Sequence, residues 1–378
     1  MLPKQSKKTK LSPKMPKKIN SLYIHIPFCT HICRYCDFTK LFYNKKFSEP
    51  YLGALFSELD SYNIDKVSTI YIGGGTPTSL SDEEFEAVLQ KVSPLLAIGG
   101  EFSVEANVEN LTKTKLELMQ KYQVNRLSLG VESTCDKCLE QIGRTHSFEE
   151  AKKAVMLAKS FGFDNINVDL MFGFPSQNID DLRADLNKIV ALNTQHISIY
   201  SLIVSPGTAF YNDGIKEQNE DSSRIFYDEI LQTLRRAGYK RYEVSNFAKE
   251  GKESRHNLTY WHDNEYYGIG LGASGYVNGL RYTNTKNIDT YINGQYLDVA
   301  EEVTDEERLE DFLLCNLRLE EGFSRKDFLD RFGIDFIYKF QFQLLELTKN
   351  DLIIIEDDRI KLSDEGIVIM DYILLKLL

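Results

Sequence analysis

The sequence predicts an α/β fold built on a parallel sheet or barrel, followed by a small helical unit. Short β-branched or apolar runs alternate with longer stretches of helical period through most of the chain. From about residue 304 this pattern gives way to consecutive helices and a hairpin. The chain has 378 residues, of which 42% are hydrophobic, so it can bury a large core. We therefore expect two units, one large and one small.

The predicted strands of the large unit are short and separated by helical stretches. They cover residues 22–26, 69–72, 102–106, 126–130, 166–171 and 196–202. A helix begins after Ser81, because Ser81 and Glu84 form a capping box and apolar residues then recur at helical spacing. Further predicted helices cover residues 113–122, 149–161, 179–192 and 225–237. This alternation predicts parallel strands that lie side by side.

The C-terminal unit is predicted to be winged-helix-like. Helical patterns cover 305–319, 324–332 and 335–349, and apolar runs at 352–356 and 359–362 then form a hairpin. A DNA-binding role is the obvious alternative. Acidic side chains outnumber basic ones in residues 304–378, however, and phosphate contacts need a basic face. We expect a packing or lid module.

The charge and hydropathy of the whole chain exclude two classes of protein. A net charge of −11 argues against nucleic acid as a main partner. The longest apolar runs, such as 352–355 and 372–375, are far shorter than the roughly 20 residues of a transmembrane helix. We expect a cytoplasmic protein. Residues 1–20 are rich in lysine and contain no arginine, which predicts a disordered basic tail rather than an organelle-targeting peptide.

Three cysteines follow the first predicted strand within eight positions, with the spacing Cys29-x-x-x-Cys33-x-x-Cys36. Three thiolates in one loop can hold three irons of a 4Fe-4S cluster and leave the fourth iron open to another ligand. A zinc site that includes His25 or His31 is the alternative, but zinc sites usually pair two separated two-ligand motifs. Disulfides are less favoured in a chain without a signal peptide.

The ends of the predicted strands carry residues that suit a ligand site. A glycine triplet, 73–75, follows the second strand, and glycines let a ligand approach the bare backbone. Glu105, Glu132 and Asp169 lie near the ends of three later strands. Because active sites of parallel β/α folds gather at the C-terminal strand ends, we expect these side chains to share one site.

Residues 23–29 and 33–38 resemble the cluster loop of radical S-adenosylmethionine (SAM) proteins. The resemblance is to the branch that contains oxygen-independent coproporphyrinogen III oxidase and the HemW heme chaperones, and it extends from about residue 21 to the C-terminus. It implies a partial TIM-like (β/α)6 radical SAM barrel over 21–247. A connecting segment, 248–303, and the helical, winged-helix-like domain, 304–378, would follow.

The resemblance also implies a set of cofactor ligands. Cys29, Cys33 and Cys36 would hold the 4Fe-4S cluster. The residues around SAM would be Tyr23, Tyr35, Gly74, Gly75, Thr76, Glu105, Glu132, Arg144 and Asp169. In these roles the glycines admit the methionine backbone, Arg144 offers its fork to the carboxylate, and the acids accept from ammonium or ribose hydroxyls. The relatives usually have Gln where this chain has Glu132.

The segment 255–261 matches the His-Asn-x-x-Tyr-Trp signature of HemW proteins. The resemblance implies heme contact by His256, Tyr260 and Trp261, since histidine can ligate heme iron and aromatic rings can pack on a porphyrin. The oxidases carry a further cysteine where this chain has Phe38. We therefore expect a heme chaperone that delivers heme to acceptor proteins and takes electrons from a donor. A radical SAM enzyme that acts on a tetrapyrrole is the alternative.

Overall fold

The computed structural model describes residues 18–175 and 177–378, so most of the predicted basic tail lies outside the described residues. The strands are β1 (Ser21–Ile26), β2 (Phe28–Cys29), β3 (Leu41–Phe42), β4 (Val67–Gly74), β5 (Leu96–Asn107), β6 (Arg126–Glu132), β7 (Ile166–Phe172), β8 (His196–Ser201), β9 (Lys240–Glu243), β10 (Asn246–Ala248), β11 (Tyr267–Ile269), β12 (Ser274–Val277), β13 (Leu280–Asn284), β14 (Leu297–Glu302), β15 (Phe323–Ser324), β16 (Ile353–Glu356) and β17 (Arg359–Leu362).

The α-helices are α1 (Lys45–Ser61), α2 (Asp82–Val92), α3 (Lys113–Lys121), α4 (Asp136–Gln141), α5 (Phe148–Ser160), α6 (Ile179–Ala191), α7 (Ala209–Asn212), α8 (Glu220–Arg236), α9 (Arg255–Trp261), α10 (Ile288–Ile292), α11 (Asp305–Asn316), α12 (Arg325–Phe332), α13 (Phe336–Lys339), α14 (Gln341–Lys349), α15 (Asp364–Val368) and α16 (Met370–Leu377). Short 3₁₀ turns occur at Pro77–Ser79, Ser93–Leu95 and Val108–Asn110. Within the described residues, no helix combines the length and the apolar character needed to span a bilayer.

The large sheet has the strand order β11-β1-β4-β5-β6-β7-β8-β10-β9. It is parallel from β11 to β8, and β10 and β9 add an antiparallel edge. The six predicted strands are the consecutive strands β1 and β4 to β8, and helices lie between them in the chain. This arrangement confirms the α/β fold and the open, partial (β/α)6 barrel.

Alternation along the strands separates the apolar core from a polar barrel interior. On β6, Leu127 and Leu129 are fully buried in the apolar core, whereas Arg126, Ser128 and Gly130 line a cavity. Successive side chains of a strand point to opposite faces, so one face packs on the helices while the other faces the barrel interior. Strand residues therefore form part of the cavity wall, together with loops.

The segment 248–303 is more than a connection. Its strand β11 pairs in parallel with β1 and extends the barrel sheet. Strands β12, β13 and β14 then form a separate antiparallel sheet. These elements, and the long helix α1, extend the predicted set.

The C-terminal unit has an aromatic core of its own, which includes Phe312, Phe328 and Phe336. Its antiparallel sheet, β15-β17-β16, contains the predicted hairpin. The predicted helix 335–349 is divided into α13 and α14 at Phe340, and α15 and α16 complete the chain. Arg241 of the barrel, with its side chain 2% exposed, pairs with Glu320 and Asp364 and ties this unit to the barrel.

Candidate functional site

The cysteine loop is closed at its base by the short parallel pair β2 and β3. Tyr43 N–H donates to Cys29 O at 2.8 Å, and Cys36 N–H donates to Cys33 O at 3.2 Å. All three thiols line one cavity of about 350 Å³. Burial raises the pKa of each thiol, that of Cys33 to about 11. Because metal ions bind the thiolate, binding of a metal here would release protons.

Of the two histidines of the zinc alternative, only His31 lines the cavity of the thiols. His25 shares hydrogen bonds with Tyr23 OH at 3.0 Å and with Thr39 O at 2.8 Å, so both of its ring nitrogens are engaged. His31 is exposed. Within residues 18–175 and 177–378, no three His, Cys, Asp or Glu side chains are grouped as ligands of a single metal ion.

The glycine triplet lies directly against the cysteine loop. Gly75 N–H donates to Ile26 O and Thr76 N–H donates to Phe28 O, both at 2.8 Å. A Cβ on Gly75 would lie 2.8 Å from Phe28 O and 3.0 Å from Cys29 Sγ. Real Cβ atoms essentially never approach another atom closer than 3.0 Å, so the contact with Phe28 O would force a shift. Glycine at this position therefore lets the backbone after β4 approach the first cysteine.

Glu105 on β5 binds the backbone of the preceding glycine, Gly74. Its carboxylate accepts from Gly74 N–H at 3.0 Å and from Tyr71 OH at 2.7 Å. Burial, with a contribution from the charge of Asp169, raises the pKa of Glu105 to about 7. A cationic ligand in the cavity would favour the ionised form.

Glu132 and Arg144 form a shielded ion pair on the cavity wall. Arg144 Nη2 donates to Glu132 Oε1 at 2.6 Å, and their side chains are 6% and 9% exposed. Glu132 has φ of 66° beside a register shift in β6, a rare conformation for a side chain of this size. Nε and Nη1 of Arg144 have no hydrogen-bond partner among the described residues, although Nη1 lies 3.9 Å from Glu109 Oε1. Two buried donors thus remain for a ligand on the same guanidinium.

Asp169 on β7 faces the same cavity from the far side. It accepts from Asn167 Nδ2 at 2.8 Å and from Ser128 Oγ at 3.4 Å. Burial, with the nearby charge of Glu132, raises the pKa of Asp169 to about 6. Every predicted cofactor residue except Tyr23 lines this cavity; the Tyr23 ring stacks on that of Tyr71, with ring centres 6.2 Å apart.

The predicted heme residues lie on α9. His256 is 0% exposed and shares hydrogen bonds with Thr69 Oγ1 at 2.9 Å and Tyr260 OH at 2.8 Å. Thr69 Oγ1 itself donates to Ser21 Oγ, so Nδ1 of His256 is the donor and Nε2 accepts from Tyr260. Burial lowers the pKa of His256 to about 3. Trp261 stacks under Arg318 at 4.7 Å. The helix is brought beside the barrel, but His256 lies within the fold and does not line the cavity.

The sequence interpretation missed Arg126 and Asn107, which line the cavity as well, and it named His31, also in the lining, only as a ligand of the zinc alternative. Arg126 is 1% exposed, and its Nε has no hydrogen-bond partner among the described residues. The available signal was a charged residue at the start of an otherwise apolar strand. Asn107 donates to Thr76 Oγ1 at 3.0 Å and thereby supports the turn after the glycines.

The residues present fit a cluster and SAM. Three thiols, a turn without Cβ atoms and a guanidinium with two unbonded donors meet on one cavity. The cavity size falls in the range of small-molecule sites. A ligand that has both an ammonium and a carboxylate would meet Glu105 and Arg144 there.

Comparison with known proteins relates most of the chain to one group. The model of the Radical SAM superfamily matches residues 23–189, and that of the HemN C-terminal domain matches residues 303–369. The chain is 38% identical over 366 residues to the Heme chaperone HemW of Bacillus subtilis. The alignment covers 92% of this chain and 96% of that one. It is 37% identical to the Heme chaperone HemW of Lactococcus lactis, over 93% and 95% of the two chains.

The Heme chaperone HemW of Escherichia coli is 35% identical over 83% of this chain and 86% of that one. Among solved structures, coproporphyrinogen III oxidase (HemN) from Escherichia coli, a radical SAM enzyme, shares the fold with a TM-score of 0.84. That match has 20% identity and covers 97% of this chain and 91% of that chain. The sequence relatives extend over most of both chains and agree in name, and on this ground the chain belongs to the HemW family of radical SAM proteins.

Proposed function

We propose that this protein is a heme chaperone that binds one 4Fe-4S cluster with an exchangeable SAM ligand, binds heme and transfers it to acceptor proteins. The observation that carries the proposal is the 38% identity to a protein named as a heme chaperone, over 92% of this chain. The cavity supports it, because thiols, glycines and charged groups meet there as a cluster and SAM require.

In this proposal Cys29, Cys33 and Cys36 hold the cluster. Around SAM, Gly74, Gly75 and Thr76 admit the methionine backbone, and Arg144, held by Glu132, meets its carboxylate. Glu105 accepts from the ammonium of SAM, and Asp169 accepts from its ribose. Tyr35 adds aromatic surface, while Tyr23 lies outside the cavity and stacks on Tyr71 in the cavity wall. When bound, the cluster supplies an electron that can cleave SAM to a radical. The chain's own groups orient the ligand and shield it from water.

Heme contact by His256, Tyr260 and Trp261 stays a prediction. Iron ligation by His256 in the described conformation would cost its bond to Thr69 through Nδ1 or its bond to Tyr260 through Nε2. We place the protein in the cytoplasm in this proposal, since all six cysteines are free thiols and a reducing compartment keeps them so. An electron donor and heme-acceptor proteins are the expected partners.

The test is heme loading followed by transfer. Anaerobically reconstituted protein is titrated with hemin, separated from free heme on a desalting column, and mixed with apomyoglobin as a generic acceptor. We expect one heme per chain and its passage to apomyoglobin. Protein that retains no heme after desalting contradicts the proposal. A Cys33→Ser variant, which lacks one cluster ligand, shows whether loading depends on the cluster.

A further inference from the structure

The histidines of the chain differ sharply in what they contact. The sequence has six histidines. Five of them share hydrogen bonds with protein groups: His25, His146, His196, His256 and His262. His31 is the exception among the described residues: it is exposed and has no hydrogen-bond or ion-pair partner there. Its imidazole can therefore bind a metal ion without loss of a hydrogen bond inside the fold.

His31 lies in the cysteine loop and lines the cavity that holds the thiols. Two large apolar side chains line the same cavity and are turned to solvent: Phe38 is 64% exposed and Ile203 is 63% exposed. Tyr200, 42% exposed, lines it too. Exposed apolar groups beside a polar cavity are typical of a ligand-binding rim.

The size of the cavity decides where a porphyrin can lie. In the proposed function a cluster and SAM fill the interior of the cavity. Its volume of about 350 Å³ is near the lower end for small-molecule sites and leaves no room for a porphyrin beside them. A flat, apolar macrocycle would then rest across the mouth, where Phe38 and Ile203 offer apolar contact. Lys40 lines the cavity as well and could pair with a propionate of the porphyrin.

We propose that heme lies across the mouth of this cavity, against Phe38 and Ile203, with its iron ligated by a ring nitrogen of His31. The inference rests on the proposed function and specifies where its ligand binds. One iron–nitrogen bond forms and a water on the iron leaves, with no change in oxidation state. The site lies on the loop of the cluster ligands, which places the carried heme next to the SAM site.

The test compares His31→Ala with His262→Ala in cluster-loaded protein titrated with hemin. His262 is also partly exposed, but it pairs with Glu321 and does not line the cavity. We expect His31→Ala to bind heme about tenfold more weakly or worse and to lose the imidazole-ligated ferric signal in electron paramagnetic resonance. His262→Ala should match wild type in both. Iron, sulfide and SAM binding are measured in parallel to confirm an intact cluster.

A second variant keeps the test decisive if the loop of His31→Ala fails to take up the cluster. Ile203→Asn lies outside the loop and should weaken heme binding while the axial signal persists. Wild type that binds no heme contradicts the proposed function and this site together. Wild type that binds heme, with both variants unchanged in affinity and signal, overturns this site alone.

Discussion

Arg144 donates through Nη2 to Oε1 of Glu132 at 2.6 Å, and this pair forms part of the cavity wall. Glu132 therefore places a negative charge beside this guanidinium, where a glutamine of the same size would be neutral. The pair neutralises part of the charge that a ligand carboxylate would otherwise meet.

We therefore predict that Glu132→Gln tightens SAM binding by about threefold to tenfold, because the amide keeps an acceptor for Arg144 and removes the competing charge. Equilibrium dialysis with labelled SAM on cluster-loaded protein measures the effect. Glu140→Gln, at an exposed position on the following helix, is the matched control. Unchanged binding in Glu132→Gln would contradict the predicted competition, and weaker binding would show that the carboxylate itself contacts SAM.

Gly75→Ala should lose most of its cluster. The added Cβ would lie 3.0 Å from Cys29 Sγ and 2.8 Å from Phe28 O, so either the sulfur or the backbone must move. Iron and sulfide per chain after reconstitution measure the loss. Gly53→Ala is the control, since nothing lies within 4 Å of its Cβ in α1. It should keep full iron and gain about 0.5–1 kcal/mol in stability. A full iron content in Gly75→Ala would contradict the close approach of Gly75 to Cys29 and Phe28.

Glu105→Gln should make the protein more stable at alkaline pH. The folded carboxyl has a pKa of about 7, above the ordinary value, so the folded state binds more protons than the unfolded state between about pH 4.5 and 7. Its contribution to stability is present below this window and is lost as the pH rises through it. We expect the variant to gain up to about 3 kcal/mol over wild type at pH 8 and nothing at pH 4.5.

Urea unfolding of the cluster-free protein at several pH values measures this difference, with the exposed Glu117→Gln as control. Asp169 also has a raised pKa. Because the charges of Asp169 and Glu105 act on each other, loss of the Glu105 charge favours ionisation of Asp169 and adds to the gain of the variant at alkaline pH. A difference that does not vary with pH would contradict the assigned titration. The same variant should bind SAM more weakly, because it lacks the carboxylate that would accept from the ammonium.

His256→Gln should affect stability more than heme binding. His256 bridges Thr69 and Tyr260 and stacks on Tyr71 with ring centres 5.2 Å apart. Loss of these contacts should cost about 1–3 kcal/mol of unfolding free energy. We expect the heme complex of the folded variant to keep its axial signal. If that signal disappears while His31→Ala retains it, the iron ligand is in the His-Asn-x-x-Tyr-Trp segment as the sequence predicts.

The sequence predicted the barrel strands because each is a short apolar run between helical stretches. It missed β11, which is three residues long and pairs with β1 across more than 240 positions of chain. It also missed α1, which contains Pro50 and has a weak apolar period. Such elements form because tertiary packing outweighs local preference.

The candidate site was predictable as far as residue types reveal chemistry. Cysteine spacing and the glycine triplet indicated the cluster and the SAM cradle. The sequence could not show that His256 is hydrogen-bonded to Thr69 or that the imidazole of His31 has no partner among the described residues. Both facts depend on contacts between distant strands and loops. Arg126 was hidden for a similar reason: whether a charged side chain on a strand faces the barrel interior depends on the register of the sheet.

The most direct test of the central claim is an anaerobic incubation of cluster-loaded protein with coproporphyrinogen III, SAM and a reductant, run beside a hemin titration of the same preparation. The chaperone account predicts one heme retained per chain and no protoporphyrinogen. Catalytic formation of protoporphyrinogen, at many turnovers per chain, would contradict it and identify the protein as a tetrapyrrole-modifying radical SAM enzyme.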